Sequence, residues 1–165
     1  MRAEIISCGT ELLLGHITDT NATYLAQSLA ALGIDLYFVS QVGDNQGRIV
    51  ETLRRAWERS DLVIITGGLG PTEDDLARES ISVMLGETMQ VDAVLEAELR
   101  AMFAGRNITM PERNIKQATL IPSAQAGTRI TFGPGCLLFT LCSAAKGKDL
   151  VIENTQVRQS FSSLR

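Results

Sequence analysis

Short apolar runs that each close on glycine set the pattern of the chain: Glu4 to Cys8 before Gly9, Leu36 to Val42 before Gly43, and Leu62 to Thr66 before Gly67-Gly68. Runs of this length and ending predict buried strands whose carboxyl ends open into loops. Two helical patterns lie between them. Thr20 to Leu32 places Ala22, Leu25, Ala26, Leu29 and Leu32 on one face and stops at Gly33. Gln46 to Arg59 does the same with Ile49, Val50, Leu53, Ala56 and Trp57. Asp19 suits the N-cap of the first helix, and Asp44 or Asn45 that of the second. A β-α-β-α-β order predicts a parallel sheet with helices on both faces, and ligands bind such sheets beyond the carboxyl ends of the strands.

Downstream, the spacing predicts helices over Asp75 to Leu85, ending at Gly86, and over Val91 to Ala104, ending at Gly105, with a shorter one within Asn107 to Ala118. From Gly127 the pattern changes. Gly127, Gly133, Pro134 and Gly135 frame a hairpin, Cys136 to Cys142 is an apolar run, and the last ten or so residues are polar enough to be expected poorly ordered. Met84, Met89, Met102 and Met110 read as packing residues. Neither an internal repeat nor a linker divides the 165 residues, so one domain is expected.

Composition narrows the function classes. The chain is 45% hydrophobic and 21% charged with a net charge of −4, and no basic run exceeds Arg54-Arg55. Nucleic acid is therefore not an expected partner. No apolar window approaches the roughly 18 residues of a membrane span, and the amino terminus lacks a signal pattern, which implies a cytoplasmic protein. Cys8, Cys136 and Cys142 are odd in number and have no CxxC spacing, so reduced structural thiols are expected.

Candidate chemistry collects at the strand ends. In Thr66-Gly67-Gly68-Leu69-Gly70-Pro71-Thr72-Glu73-Asp74-Asp75, glycines allow positive φ and close approach of amides to a ligand. The following helix adds its positive end, so the loop favours an anion such as the phosphate of a nucleotide or pterin. It has neither the P-loop lysine nor the GxGxxG spacing. Asp74 and Asp75 fit helix capping or recruitment of Mg²⁺. Glu11, in Gly9-Thr10-Glu11-Leu12-Leu13-Leu14-Gly15, is either a solvent-facing residue or a site residue facing a cleft. Asp44, in Val42-Gly43-Asp44-Asn45, is a helix cap or a third site carboxylate. Glu11, Asp44 and Asp75 follow three different strands, and their convergence around a phosphate cradle predicts a metal-assisted site. His16, the single histidine, reads as a loop residue, and Lys116 and Gln117 have a spacing that permits but does not demand a role.

The segments GTELLLG, DTNATYLAQSLAALGI, VGDN and SDLVIITGGLGPTEDDLARE, in that order, resemble the amino-terminal domain of the competence/damage-inducible protein CinA. More broadly they are similar to the molybdopterin-binding domain shared by MoeA, MogA and gephyrin. The resemblance covers about residues 3–125 and implies a three-layer α/β/α sandwich of the MogA-like type with a mostly parallel sheet. It implies that Gly67, Gly68, Leu69, Gly70 and Thr72, with Thr10, hold a phosphorylated ligand, and that Glu11, Asp44 and Asp75 are catalytic, with Asp44 and Asp75 binding metal. In the family's Asp-x-Asn segment, Asp19 and Asn21 are structural or contact ligand.

CinA-type domains are associated with cleavage of ADP-ribose to AMP and ribose 5-phosphate by a divalent metal, Mg²⁺ or Co²⁺. The resemblance implies that activity here, with molybdopterin binding or a non-catalytic nucleotide-binding domain as the alternatives, and a homo-oligomer. Longer CinA proteins add a carboxyl-terminal domain that deamidates nicotinamide mononucleotide, and that activity is not expected of these 165 residues. The departure from the family pattern lies in residues 127–165: Gly127 to Gly135 only loosely echoes the family's GTAPG stretch, and the LPGxPxEM segment is missing.

Overall fold

The computed structural model describes residues 1–123 and 149–153. Its centre is a four-stranded, fully parallel sheet ordered β2-β1-β3-β6. The strands are β1 (Arg2–Cys8), β2 (Asp35–Val42), β3 (Leu62–Thr66) and β6 (Asp149–Glu153). Strand period fixes two faces. Ala3 and Ile5 of β1 and Leu62 and Ile64 of β3 bury against Ala22, Leu25 and Leu29 of α2 (Thr20–Ala31). Their alternates Ile6, Cys8, Val63 and Ile65 bury against α3 (Gln46–Arg59) and α4 (Ala77–Leu85). Helices on both faces of a parallel sheet give the three-layer α/β/α arrangement expected from the pattern. A separate cluster of Leu95, Leu99, Met110 and Ala118 joins α5 (Ala93–Ala104) to the 3₁₀ segment Glu112–Ala118. Beside it, β4 (Gln90–Val91) pairs antiparallel with β5 (Thr119–Leu120).

Several boundaries differ from the expectations, each for a local reason. The helix expected from Asp75 begins at Ala77, because the Asp75 carboxylate turns back into its own loop. The one expected from Val91 begins at Ala93, since Asp92 accepts the Leu95 N–H and caps it. Within 107–118 only Glu112–Ala118 winds, as 3₁₀, after Pro111 in extended conformation. Leu36–Val42 was expected to be buried like the other strands, but β2 lies on the sheet edge, with Tyr37, Phe38 and Val39 exposed.

The methionines pack as expected: Met110 is buried, and Met84, Met89 and Met102 lie against the cores. The hairpin framed by Gly127 and Gly135, the Cys136–Cys142 run and the polar carboxyl end lie outside the described residues. Among the described residues, no helix is long and apolar enough to cross a membrane.

Two features fix the edge at which chemistry can occur. Near the start of β1 the fully buried Glu4 is neutralised by Arg59, whose Nε and Nη2 donate to it at 2.9 and 2.7 Å, with hydroxyls of Ser40 and Ser60 beside them. The Arg59 guanidinium lies 3.6 Å from the centroid of the Phe38 ring. The buried Glu4 charge there is paired, which gives it a structural role. At the opposite edge the chain leaves β1 toward β2 on one side and returns to β3 on the other. The strand order therefore reverses at β1, opening a crevice beyond the carboxyl ends of β1 and β3.

Candidate functional site

A cavity of about 260 Å³ occupies that crevice. Ser7 and Cys8 of β1, Thr66 and Gly67 at the end of β3, Glu11 of the short helix α1 (Thr10–Leu13), and Asp19 and Asn21 at the start of α2 all line it. The floor follows from strand period. Ala3-Ile5-Ser7 and Leu62-Ile64-Thr66 are the rows facing α2, so the apolar floor ends in two hydroxyls where α2 begins. Asp19 caps α2 by accepting the Ala22 N–H at 2.9 Å, as the sequence predicts, and its other oxygen accepts from the Gln41 amide at 3.4 Å. Glu11 folds back over Gly9, whose missing side chain leaves room for the carboxylate.

The loop 66–75 departs from β3 through Gly67 (φ +84°) and Gly68 (φ +61°), a left-handed pair that side-chain-bearing residues adopt only with strain. A Cβ on Gly67 would collide with the Cys8 carbonyl, so glycine there lets the loop pass directly over the end of β1. Further along, Asp75 Oδ2 accepts the Thr72 N–H at 2.9 Å and the Thr72 hydroxyl at 2.5 Å, and the Gly70 N–H also donates to this carboxylate. Gly70 has no Cβ to block it. From outside, Lys116 Nζ donates to the carbonyls of Thr72 (2.8 Å) and Asp75 (2.5 Å) and pairs with Glu79 at 2.9 Å. The buried Arg78 donates to the Lys116 carbonyl. The loop is thus a preformed ring of backbone, closed by one carboxylate and braced by one lysine.

Burial pulls the Asp75 carboxyl upward, but the Thr72 hydroxyl and amide, the Gly70 amide and the Lys116 charge outweigh it and hold the group below its ordinary value. Asp75 is therefore ionised at neutral pH and acts as the internal anion of the loop. The neighbouring loop is tied in the same manner. Asp44 Oδ2 accepts the Thr10 N–H at 2.9 Å, and the Thr10 hydroxyl accepts the Asp44 N–H at 3.1 Å. Capping of α3 falls to Asn45, which accepts the Arg48 N–H. Cys8, free and buried beneath these loops, has its thiol pushed up to about 12 by burial and by the Asp44 charge.

The expected convergence of three carboxylates takes a different form. Glu11, Asp44 and Asp75 all follow carboxyl ends of parallel strands, yet among the described residues no group of three or more His, Cys, Asp or Glu is placed to hold a metal ion. Glu11 lines the cavity, whereas Asp44 and Asp75 each commit Oδ2 to a loop amide. These residues do not fit a resident metal. Of the expected ligand-contact residues, Gly67 reaches the cavity. Gly68, Leu69, Gly70 and Thr72 continue from it along the loop, and Thr10 is held by Asp44. His16 is an exposed loop residue.

Ser7 and Arg78 were not singled out as site residues by the sequence, and Lys116 was only permitted a role by its spacing. The signal for Ser7 was available: a hydroxyl in register with Thr66 at the end of an otherwise apolar row. Lys116 comes from more than forty residues away, and no spacing rule reports that approach.

A sheet of this order with a glycine loop at its switch point defines a class of α/β ligand-binding domain, and the comparisons agree. A family model described as a probable molybdopterin binding domain matches residues 4–152, and the chain belongs to that family. Within it the sequence is similar to a CinA-like protein of Thermomicrobium roseum, 58% identical over 125 residues, which are 76% of this chain and 31% of that protein. The chain thus spans about a third of the length of the curated relatives it matches. Among solved structures, the protein CinA with unknown function from Thermoplasma acidophilum superposes with a TM-score of 0.82 at 28% identity, over 93% of this chain and 88% of that one. The molybdopterin biosynthesis enzyme MoaB from Thermus thermophilus gives 0.53 at 17% identity, over 93% and 80%, which is a likeness of fold.

Proposed function

We propose that the domain binds the pyrophosphate of ADP-ribose or a related nucleotide on the 67–72 loop and hydrolyses it to AMP and ribose 5-phosphate. One observation carries this reading: Gly67 belongs both to the left-handed turn of the loop and to the wall of the switch-point cavity. A ligand phosphate lying along the loop thereby places the rest of its molecule in the cavity. The divalent ion arrives with the substrate, because Mg²⁺ is commonly held by substrate phosphates and one or two carboxylates. That suits a site whose own carboxylates are dispersed. Glu11, exposed at the cavity and free of the amide contacts that occupy Asp44 and Asp75, is the candidate to orient water.

The family description and the likeness to MoaB support a second reading, binding of a pterin phosphate on the same loop. The two separate in one assay. Incubation of the chain with ADP-ribose and Mg²⁺ or Co²⁺, followed by chromatography, is expected to yield AMP and ribose 5-phosphate in equal amounts, with at least a tenfold loss in Glu11→Gln. Absence of AMP with every divalent metal, together with molybdopterin binding weakened by Asp75→Ala, would replace the hydrolase with the pterin binder.

A further inference from the structure

The loop after β3 divides its polar groups between two partners. The Gly70 and Thr72 N–H groups and the Thr72 hydroxyl serve the Asp75 carboxylate within the ring. The carbonyls of Thr72 and Asp75 are taken from outside, by the Lys116 ammonium at 2.8 and 2.5 Å. Glu79 Oε1, at 2.9 Å, is the third acceptor, so the three donors of the ammonium converge on the base of the loop and the first turn of α4.

The lysine is itself held in place. Its own carbonyl accepts from the Arg78 guanidinium and from the Thr119 hydroxyl, and its side chain is only 21% exposed. Stability alone is a weak reason for this arrangement. Ion pairs withdrawn from water add little over apolar packing, and ordering a lysine costs rotamer entropy. What the contacts do fix is direction. In a trans peptide the carbonyl and the following N–H point opposite ways, and the described peptides are trans. Drawing the Thr72 and Asp75 oxygens toward Lys116 therefore turns the N–H groups of Glu73 and Leu76 away from it. Thr72, Glu73 and Asp74 are the exposed part of the loop. A Cβ on Gly68 would crowd the Leu76 nitrogen at 3.4 Å and that of Ala77 at 3.3 Å, which glycine avoids.

We infer that Lys116 is a positioning residue for anion binding: from behind the loop, and without touching the ligand, it aims the Glu73 and Leu76 amides at a phosphate on the opposite side. The inference rests on the phosphate reading of the loop and deepens it, because the Gly70 and Thr72 amides are already committed to Asp75.

Calorimetric titration of the full chain with inorganic pyrophosphate and Mg²⁺ tests it, alongside turnover of ADP-ribose. Lys116→Arg keeps the charge but replaces a compact ammonium with a planar fork, and is expected to weaken pyrophosphate binding about tenfold. The double variant Lys116→Met with Glu79→Gln removes both charges of the pair together and is expected to lose at least as much. Glu79→Gln alone keeps both carbonyl contacts and should stay within about twofold of the native chain. The dissociation constant decides, since a lysine that only stabilised the fold would change the melting temperature and the fraction of protein able to bind, and leave the affinity of that fraction unaltered. If the double variant does not fold, Lys116→Arg carries the test. Where ADP-ribose is turned over, KM is expected to rise with the dissociation constant while kcat changes by less than about threefold, the pattern of an interaction equal in ground and transition states. Native affinity in Lys116→Arg or in the double variant would overturn the positioning role and leave the phosphate reading intact. Pyrophosphate binding that depends on Lys116, with no AMP released from ADP-ribose, would sustain the positioning role and remove the hydrolase. A native chain that binds neither pyrophosphate nor ADP-ribose would remove the phosphate reading, and the positioning role with it.

Discussion

At the residue scale, single atoms decide what the carboxyl edge of the sheet can do. Glycine at 67 lets the loop cross the Cys8 carbonyl, and glycine at 70 lets Asp75 reach the Thr72 amide. Cys8, beneath both, shows how dry the underside is. Its thiol is pushed from 9.0 to about 12, with burial the larger cause and the Asp44 charge the smaller. Because the folded value lies above the unfolded one, the neutral thiol stabilises the fold fully below pH 9 and progressively less as pH rises toward 12. The expected outcome is a Cys8 that does not react with a thiol reagent in native protein at pH 8 and reacts promptly in urea. A Cys8→Ala variant should lose less stability than the native chain between pH 9 and 11. Rapid native labelling of Cys8 would contradict the burial of this edge.

At the scale of elements, the β3–α4 loop is a unit held by Asp75 from within and Lys116 from outside. Asp75 is depressed: burial raises it, but the Thr72 and Gly70 hydrogen bonds and the Lys116 charge win. The clasp is therefore fully effective above the ordinary carboxylate value of 3.8 and is lost as pH falls through the lower folded value. The melting temperature of the native chain is expected to exceed that of Asp75→Ala by a constant margin from pH 7 to about 5, and by a shrinking one below about 4. A margin unchanged down to pH 2 would contradict an ionised clasp.

This loop also shows how far sequence reasoning reaches. Its glycines and its place after a strand are local signals, so the turn was legible. The choice between a helix cap and a metal ligand at Asp75 was not, because its partners are set by how the chain folds back on residue 72. Asp44 and Asn45 make the same point: both suit an N-cap, and the contact with Thr10, 34 residues away, leaves the role to Asn45. Helix faces and the first three strands could be read because period is local. β6 was missed although Asp149-Leu150-Val151-Ile152 repeats Asp61-Leu62-Val63-Ile64, because its pairing with β3 spans most of the chain.

For the whole molecule, the strand order β2-β1-β3-β6 reverses at β1, and the cavity, the left-handed glycines and the unpartnered hydroxyls all meet there. At the opposite edge Glu4 and Arg59 neutralise one another. The family's fold accounts for the crevice, and the residues of this chain furnish its chemistry. Amide hydrogen exchange with and without ADP-ribose and Mg²⁺ tests that localisation most directly. Slowed exchange is predicted in residues 67–72 together with residues 7–12 and the start of α2, with α5 and β2 unchanged. Slowing confined to α5 and the Glu112–Ala118 segment, or none at saturating ADP-ribose, would contradict a ligand site at the switch point of this sheet.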